Sequence, residues 1–156
     1  MPINQGLMSS LKDDWETPRD LFDRCDAIWH FNLDAASDDG NALCERHFTK
    51  DDDALALFWG GAGSRVWLNP PYGRQVGAFV EKAYNESLLG AVVVCLLPAR
   101  TDTAWWQDFV SHADEVVFLR GRVRFCVDGE QQGSAPFPSA LVRFGGSLPK
   151  TAKEAR

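Results

Sequence analysis

Apolar positions along the chain fall into two rhythms, one with helical spacing and one that clusters or alternates as strands do. Leu21, Phe22, Cys25, Ile28 and Trp29 make one helical stripe, and Val76, Phe79, Val80, Ala83, Tyr84 and Leu88 make a second. Ahead of the first stripe, Thr17 is placed to cap, Pro18 suits the first turn, and Asp20 follows three residues after the cap. Ala91 to Leu97 is apolar and rich in β-branched residues, which predicts a central strand of a parallel sheet. Arg65 to Leu68 predicts another strand, running straight into Asn69-Pro70-Pro71-Tyr72-Gly73. Phe31-Asn32-Leu33 alternates and ends at Asp34-Ala35-Ala36-Ser37, a short strand followed by a turn. Asn41 to Phe48 is weakly helical, and Asp53 to Trp59 suggests a short helical turn. Asp102 or Thr103 can cap a helix bearing Trp105, Trp106, Phe109 and Val110. Glu115 to Leu119, Arg122 to Val127 and Ser139 to Phe144 complete the expected strands.

Strands alternating with helices over the first two thirds predict an α/β sheet with helices on its faces. The strand-rich end predicts an antiparallel hairpin added at one edge. Between Asp34 and Asn69 there is too little chain for two full βα units, so that part of the sheet is expected to be abbreviated. No repeat or linker divides the chain, and one domain over 15–148 is expected between a flexible segment, 1–14, and a polar tail, 149–156. An apolar fraction of 45% and a charged fraction of 24% are those of an ordinary globular domain. No apolar run approaches the ~20 residues of a membrane span, and no secretory signal is visible. The four cysteines are scattered, three within apolar segments, which points to reduced thiols and a cytoplasmic protein. Cys44-Glu45-Arg46-His47 offers two metal ligands without a second pair, so no metal site is expected.

The chemistry concentrates in Asn69-Pro70-Pro71-Tyr72. It lies between a strand and an amphipathic helix, and in parallel α/β sheets ligands bind beyond the carboxyl ends of the strands. Consecutive prolines fix two φ angles and remove two backbone donors, leaving carbonyls free in a stiff loop. The Asn69 carbonyl beside that of Pro70 makes a pair of acceptors suited to an amino group, which has two donors. Gripping both N–H bonds draws the amino nitrogen out of conjugation with its ring and frees its lone pair. Tyr72 supplies a flat face on which an extruded base can stack, an interaction worth roughly 1–3 kcal/mol.

The tetrapeptide resembles the catalytic motif of amino-group methyltransferases: Asp, Asn or Ser, then Pro-Pro, then Tyr or Phe. The wider chain resembles the phage-type DNA N-6-adenine methyltransferase (Dam) family. The matching blocks are Trp15-Glu16-Thr17-Pro18, Leu33-Asp34-Ala35-Ala36-Ser37, Val66 to Gly73, Leu97 to Thr103 with Trp105-Trp106, and Gly121-Arg122-Val123-Arg124-Phe125. The resemblance implies a Rossmann-like sheet and S-adenosylmethionine as cofactor, with adenine in duplex DNA, flipped out of the helix, as acceptor. It implies that Asn69 and Pro70 accept the amino hydrogens, Pro71 holds the loop and Tyr72 stacks on the base. Asp34, Ala35, Ala36 and Ser37 would then form the cofactor turn, with Trp15 and Thr17 near the cofactor. Asp53 is either a contact to the adenosine or a helix cap. The glycine-rich cofactor loop of many amino-methyltransferases is absent after Asp34. Gly60 to Ser64 looks like one, but a strand follows at once where a cofactor loop would open a helix.

The formal net charge of −6 does not advertise a nucleic-acid partner. Much of the acid is local, at Asp13-Asp14, Asp38-Asp39 and Asp51-Asp52-Asp53, whereas Arg100, Arg122 and Arg124 offer phosphate contacts. Arg122 and Arg124 alternate and would share a face. At least one of Trp105 and Trp106 is expected in the core. Two other readings stand beside the first: RNA adenine or a protein glutamine amide as acceptor, and a non-catalytic nucleic-acid or protein-binding module with a methyltransferase-like fold.

Overall fold

The computed structural model describes residues 15–146, so the segments 1–14 and 149–156, expected to be a flexible lead and a polar tail, lie outside the described residues. Its core is a five-stranded sheet in the order β1-β2-β3-β7-β4. Strands β1 (Leu33–Asp34), β2 (Arg65–Leu68) and β3 (Val92–Pro98) run parallel. Strand β7 (Ser139–Phe144) lies antiparallel between β3 and the edge strand β4 (Glu115–Phe118). A separate small hairpin pairs β5 (Cys126–Val127) with β6 (Glu130–Gln131). The parallel half places the carboxyl ends of β1, β2 and β3 on one rim, so Ala35, Asn69 and Ala99 leave the sheet side by side.

Period-two alternation sorts the strand side chains into two cores. Val66, Leu68, Val93, Cys95, Leu97, Ala140, Val142 and Phe144 pack with helix α2 (Val76–Leu88) and with Trp106 and Val110. Trp67, Val94 and Leu96 face the opposite way, toward helix α1 (Arg19–Trp29) and the loop that carries Phe125 and Ala135. Trp67 is fully buried, with the Phe22 and Phe31 rings each 5.5 Å from its own. This three-layer, abbreviated α/β sheet with a C-terminal antiparallel pair is the architecture the pattern predicts. No further strand lies beyond β1 among the described residues, and the chain between β1 and β2 crosses in turns and two short 3-10 helices, Lys50–Asp52 and Ala54–Ala56, the second within the helical turn expected from Asp53 to Trp59.

Several local expectations are corrected. Helix α1 begins at Arg19 with Pro18 at its cap position and no side-chain cap bond, so Thr17 does not cap. The Asn41 to Phe48 segment is not helical; it is held in bends by a bridge between His47 and Asp34. The Phe31-Asn32-Leu33 strand shortens and shifts to Leu33–Asp34. Arg122 to Phe125 forms no strand; the Val123 and Phe125 carbonyls accept from Ala135 and Gln132 N–H across a loop, leaving only Cys126–Val127 of the expected strand in a ladder. Helix α3 (Ala104–Asp108) is short, capped by Thr103, whose hydroxyl accepts from Trp106 N–H at 3.3 Å. Trp106 is buried, and Trp105 packs half-buried against the same core.

The amino-terminal end of the sheet is closed by tight turns. Gly60 to Ser64 lies there, at the start of β2 and the opposite end from Asn69, so it cannot serve the tetrapeptide. Gly145, at φ 83°, ends β7 with its Cα so close to the Ala91 carbonyl that a Cβ would sit 2.5 Å from that oxygen.

Candidate active site

Strand β2 delivers Asn69 to the rim with its amide already committed. Nδ2 donates both hydrogens, one to the Trp15 carbonyl and one to Thr17 Oγ1 at 3.0 Å. The Asn69 carbonyl oxygen, Oδ1, is buried and has no hydrogen-bond partner among the described residues. A buried acceptor left open costs about 1–3 kcal/mol, so its persistence calls for a reason. Thr17 Oγ1 also accepts from Trp67 Nε1–H at 3.3 Å, tying the amino-terminal strap to the sheet. Pro70 is buried behind Asn69, and Pro71 is half-buried.

Tyr72 differs from the expected open aromatic face. It is 4% exposed, and its hydroxyl donates to the Leu96 carbonyl at 2.7 Å. Burial holds its pKa well above the ordinary tyrosine value, so the hydroxyl stays a donor. Phe137 and Phe125 pack edge-on against the ring, at 5.6 Å and 5.9 Å. Trp15 meets the same two phenylalanines at 5.4 Å and 5.5 Å. Trp15, Phe125 and Phe137 thus form an aromatic cover whose two phenylalanines pack on Tyr72. The Arg100 guanidinium rests over Phe137, 5.8 Å from its centroid, on the outside of that cover. Arg122 donates to the Ala135 carbonyl at 3.3 Å and Arg124 to that of Gln132 at 3.1 Å. Both are exposed, but the segment that carries them is not the strand their alternation predicts. Their bonds brace the cover.

Asp34 is 2% exposed at the end of β1. Its carboxylate accepts from the backbone N–H of Leu43 at 3.0 Å and of Ala36 at 3.3 Å, which closes the 35–43 loop. Desolvation raises its pKa from 3.8 to about 6, opposed by those two N–H groups. The Ser37 hydroxyl is buried beside it and favours its ionised form, though without a hydrogen bond of good geometry among the described residues. Ala35 is fully buried, and its N–H donates to the Trp67 carbonyl at 3.0 Å. Asp53 is exposed in the left-handed region at φ 52° and forms no side-chain cap bond, so the cap reading is not realised. His47 pairs with Asp39 at 2.8 Å, and burial pushes the Cys44 thiol up to about 12.

The structure therefore brings together Asn69, Pro70, Trp15 and Thr17, sets Asp34 to Ser37 on the neighbouring strand end, and arrays Arg100, Arg122 and Arg124 around the cover. Sequence reasoning assigned no role to Phe137, to the Trp67 N–H, or to Glu16, whose carboxylate accepts from Asp128 N–H at 3.2 Å and Gly129 N–H at 3.0 Å. Glu16 and Phe125 lie in the blocks that carry the family resemblance, which was the available signal.

Comparison with known proteins meets this geometry. The sequence pattern of the family described as DNA N-6-adenine-methyltransferase (Dam) matches residues 5–142 of the 156. The chain belongs to that family. A Dam relative, the DNA N-6-adenine-methyltransferase of Escherichia phage T1, is 31% identical over 123 residues, 78% of this chain and 51% of its own. The enzyme of the same name from Haemophilus phage HP1 (strain HP1c1) is 30% identical over 155 residues, 96% of this chain and 88% of its own. This Dam family chain thus spans about half the length of the first relative and most of the second. The crystal structure of SMU.472 complexed with SAH overlays on 67% of this chain and 25% of its own, at 15% identity and a TM-score of 0.39. No helix among the described residues is long and apolar enough to cross a membrane.

Proposed function

We propose that this Dam family chain transfers a methyl group from S-adenosylmethionine to the exocyclic N6 of an adenine flipped out of duplex DNA. The observation that carries the reading is the Asn69 carbonyl oxygen, buried at a strand's carboxyl end and without a donor among the described residues. An incoming N–H of an amino group supplies what it lacks, and the Pro70 carbonyl takes the second. Pro71 keeps the loop from relaxing.

The residues present fit the cofactor. At the carboxyl end of β1 the buried Ser37 Oγ has no hydrogen bond of good geometry among the described residues, and the side chains next to it in the chain, Ala35 and Ala36, are small. Asp34 to Ser37 would hold the cofactor beside Trp15, with the Thr17 hydroxyl committed to Asn69 and Trp67 instead, and the exposed Asp53 carboxylate would meet its adenosine. When bound, the cofactor supplies a methyl carbon on a cationic sulfur, an electrophile that a neutral amino nitrogen takes without a strong base. The protein's part is orientation, exclusion of water and polarisation of the amino group.

For a base to enter, the Phe137 and Trp15 side chains have to turn aside while the strap backbone keeps its hold on Asn69 and the hairpin. Tyr72 is then open as the stacking face, while Arg100, Arg122 and Arg124 meet the flanking phosphates. Three arginines on one side of an acidic protein reconcile the net charge with a DNA partner.

The test is transfer of labelled methyl from S-adenosylmethionine to unmethylated duplex DNA, followed by nucleoside identification. N6-methyladenosine in its deoxy form is the expected product. Asn69→Ala should lower turnover by about 10²–10³-fold with folding and cofactor affinity preserved, the scale of losing one preorganised polar group. Retained activity, or label on RNA or glutamine alone, would overturn the reading.

A further inference from the structure

We infer that Thr17 is a positioning residue for the methyl transfer, fixing together with the Trp15 carbonyl which way the Asn69 amide faces. This rests on the amino-group reading above. An asparagine amide has two ends of nearly equal size and opposite chemistry, and the hydrogen bonds around it select one orientation. Turned as it is, Nδ2 meets two oxygens and Oδ1 is left open. Turned over, Oδ1 would face the Trp15 carbonyl, which can only accept, and Nδ2 would take the place where a substrate N–H must arrive. Donor would then oppose donor. A correctly built but flipped Asn69 is therefore inert toward an amino group.

Thr17 makes the selection because its hydroxyl is held as an acceptor. Trp67 Nε1–H points at the same oxygen at 3.3 Å, so Thr17 Oγ1 receives two donors and turns its own hydrogen away. Trp67 cannot retreat, since it is fully buried between Phe22 and Phe31. The strap is anchored in turn. Glu16 exchanges backbone hydrogen bonds with Cys126 at 3.1 Å and 2.9 Å, and its carboxylate caps the turn of the β5–β6 hairpin. The orientation of the reacting group is thus set by a segment more than 50 residues upstream, clipped between sheet and hairpin.

The assignment separates Thr17 from a cofactor contact. Thr17→Val keeps the shape and removes the oxygen, Thr17→Ala removes both, and Thr17→Ser keeps the oxygen. Each is assayed for kcat and KM on unmethylated duplex DNA, for S-adenosylmethionine affinity by calorimetry, and for thermal unfolding. The expected result is kcat lowered about 10- to 100-fold in Thr17→Val and Thr17→Ala, the scale of a misplaced reacting group, with cofactor Kd within about twofold. Thr17→Ser should restore kcat to within about threefold. If Thr17→Val does not fold, Thr17→Ala carries the comparison. The inference is overturned if the folded variants keep wild-type kcat, or if cofactor affinity falls while kcat holds. Asn69→Ala run alongside tells the two readings apart: activity surviving there sinks the amino-group reading itself, whereas an inactive Asn69→Ala beside a fully active Thr17→Val sinks only the role of Thr17.

Discussion

Removing the Tyr72 hydroxyl separates what this residue does for the fold from the base stacking proposed for it. In the covered conformation the hydroxyl donates to the Leu96 carbonyl at 2.7 Å in the middle of the sheet, and the ring is 4% exposed. Tyr72→Phe deletes that bond and leaves a ring of the same shape. A buried neutral hydrogen bond contributes about 0.5–1.5 kcal/mol net, and the Leu96 carbonyl loses its Tyr72 donor inside the sheet, so the cost should be at least about 1 kcal/mol. For a chain of this size that lowers Tm by about 2–4 °C. Stacking needs the ring and not the hydroxyl, so kcat should stay within about threefold of wild type. Tyr72→Ala also removes the surface against which Phe125 and Phe137 pack, at 5.9 Å and 5.6 Å, and should cost about 3–5 kcal/mol along with base stacking. Calorimetric unfolding and methyl-transfer kinetics on the same preparations make the comparison. The reasoning fails if Tyr72→Phe loses turnover at unchanged Tm, because the hydroxyl would then belong to the reaction and not to the packing.

Two further outcomes are expected. Asp34 folds with its carboxyl raised from 3.8 to about 6, so folding favours the protonated form: its contribution to stability is complete below about pH 4 and is lost as pH rises through 6. The difference amounts to about 3 kcal/mol, and carbon NMR should show the Asp34 carboxyl titrating near pH 6, whereas a midpoint near 4 would refute the burial argument. Gly145→Ala places a methyl 2.5 Å from the Ala91 carbonyl at a left-handed φ of 83°, which should destabilise the chain by at least about 2 kcal/mol. A wild-type melting curve would show that the turn has room to move.

Much of the sheet could be read from the chain because strand and helix periods are local. Arg65–Leu68, Val76–Leu88 and Ser139–Phe144 fall where the alternation and the stripe put them. Places where local rules misled lie close to the site. Thr17 has the chemistry of a helix cap, yet its hydroxyl turns away from α1 to receive Asn69 and Trp67. Arg122 to Phe125 has the alternation of a strand, yet it is spent on a cover whose carbonyl partners, Ala135 and Gln132, lie across a loop. Local preference yields at such positions when a tertiary partner offers a better bond.

Asn69-Pro70-Pro71-Tyr72 announces a stiff loop bearing acceptors and a ring, since two prolines fix its backbone whatever surrounds it. Nothing in the four letters says that the Asn69 amide is held by Trp15 and Thr17, or that Tyr72 lies under Phe125 and Phe137. Those facts depend on residues more than 50 positions apart meeting through the packing of two sheet faces. A short motif carries its stiffness and its functional groups with it. The direction in which those groups point comes from neighbours that only the folded chain supplies.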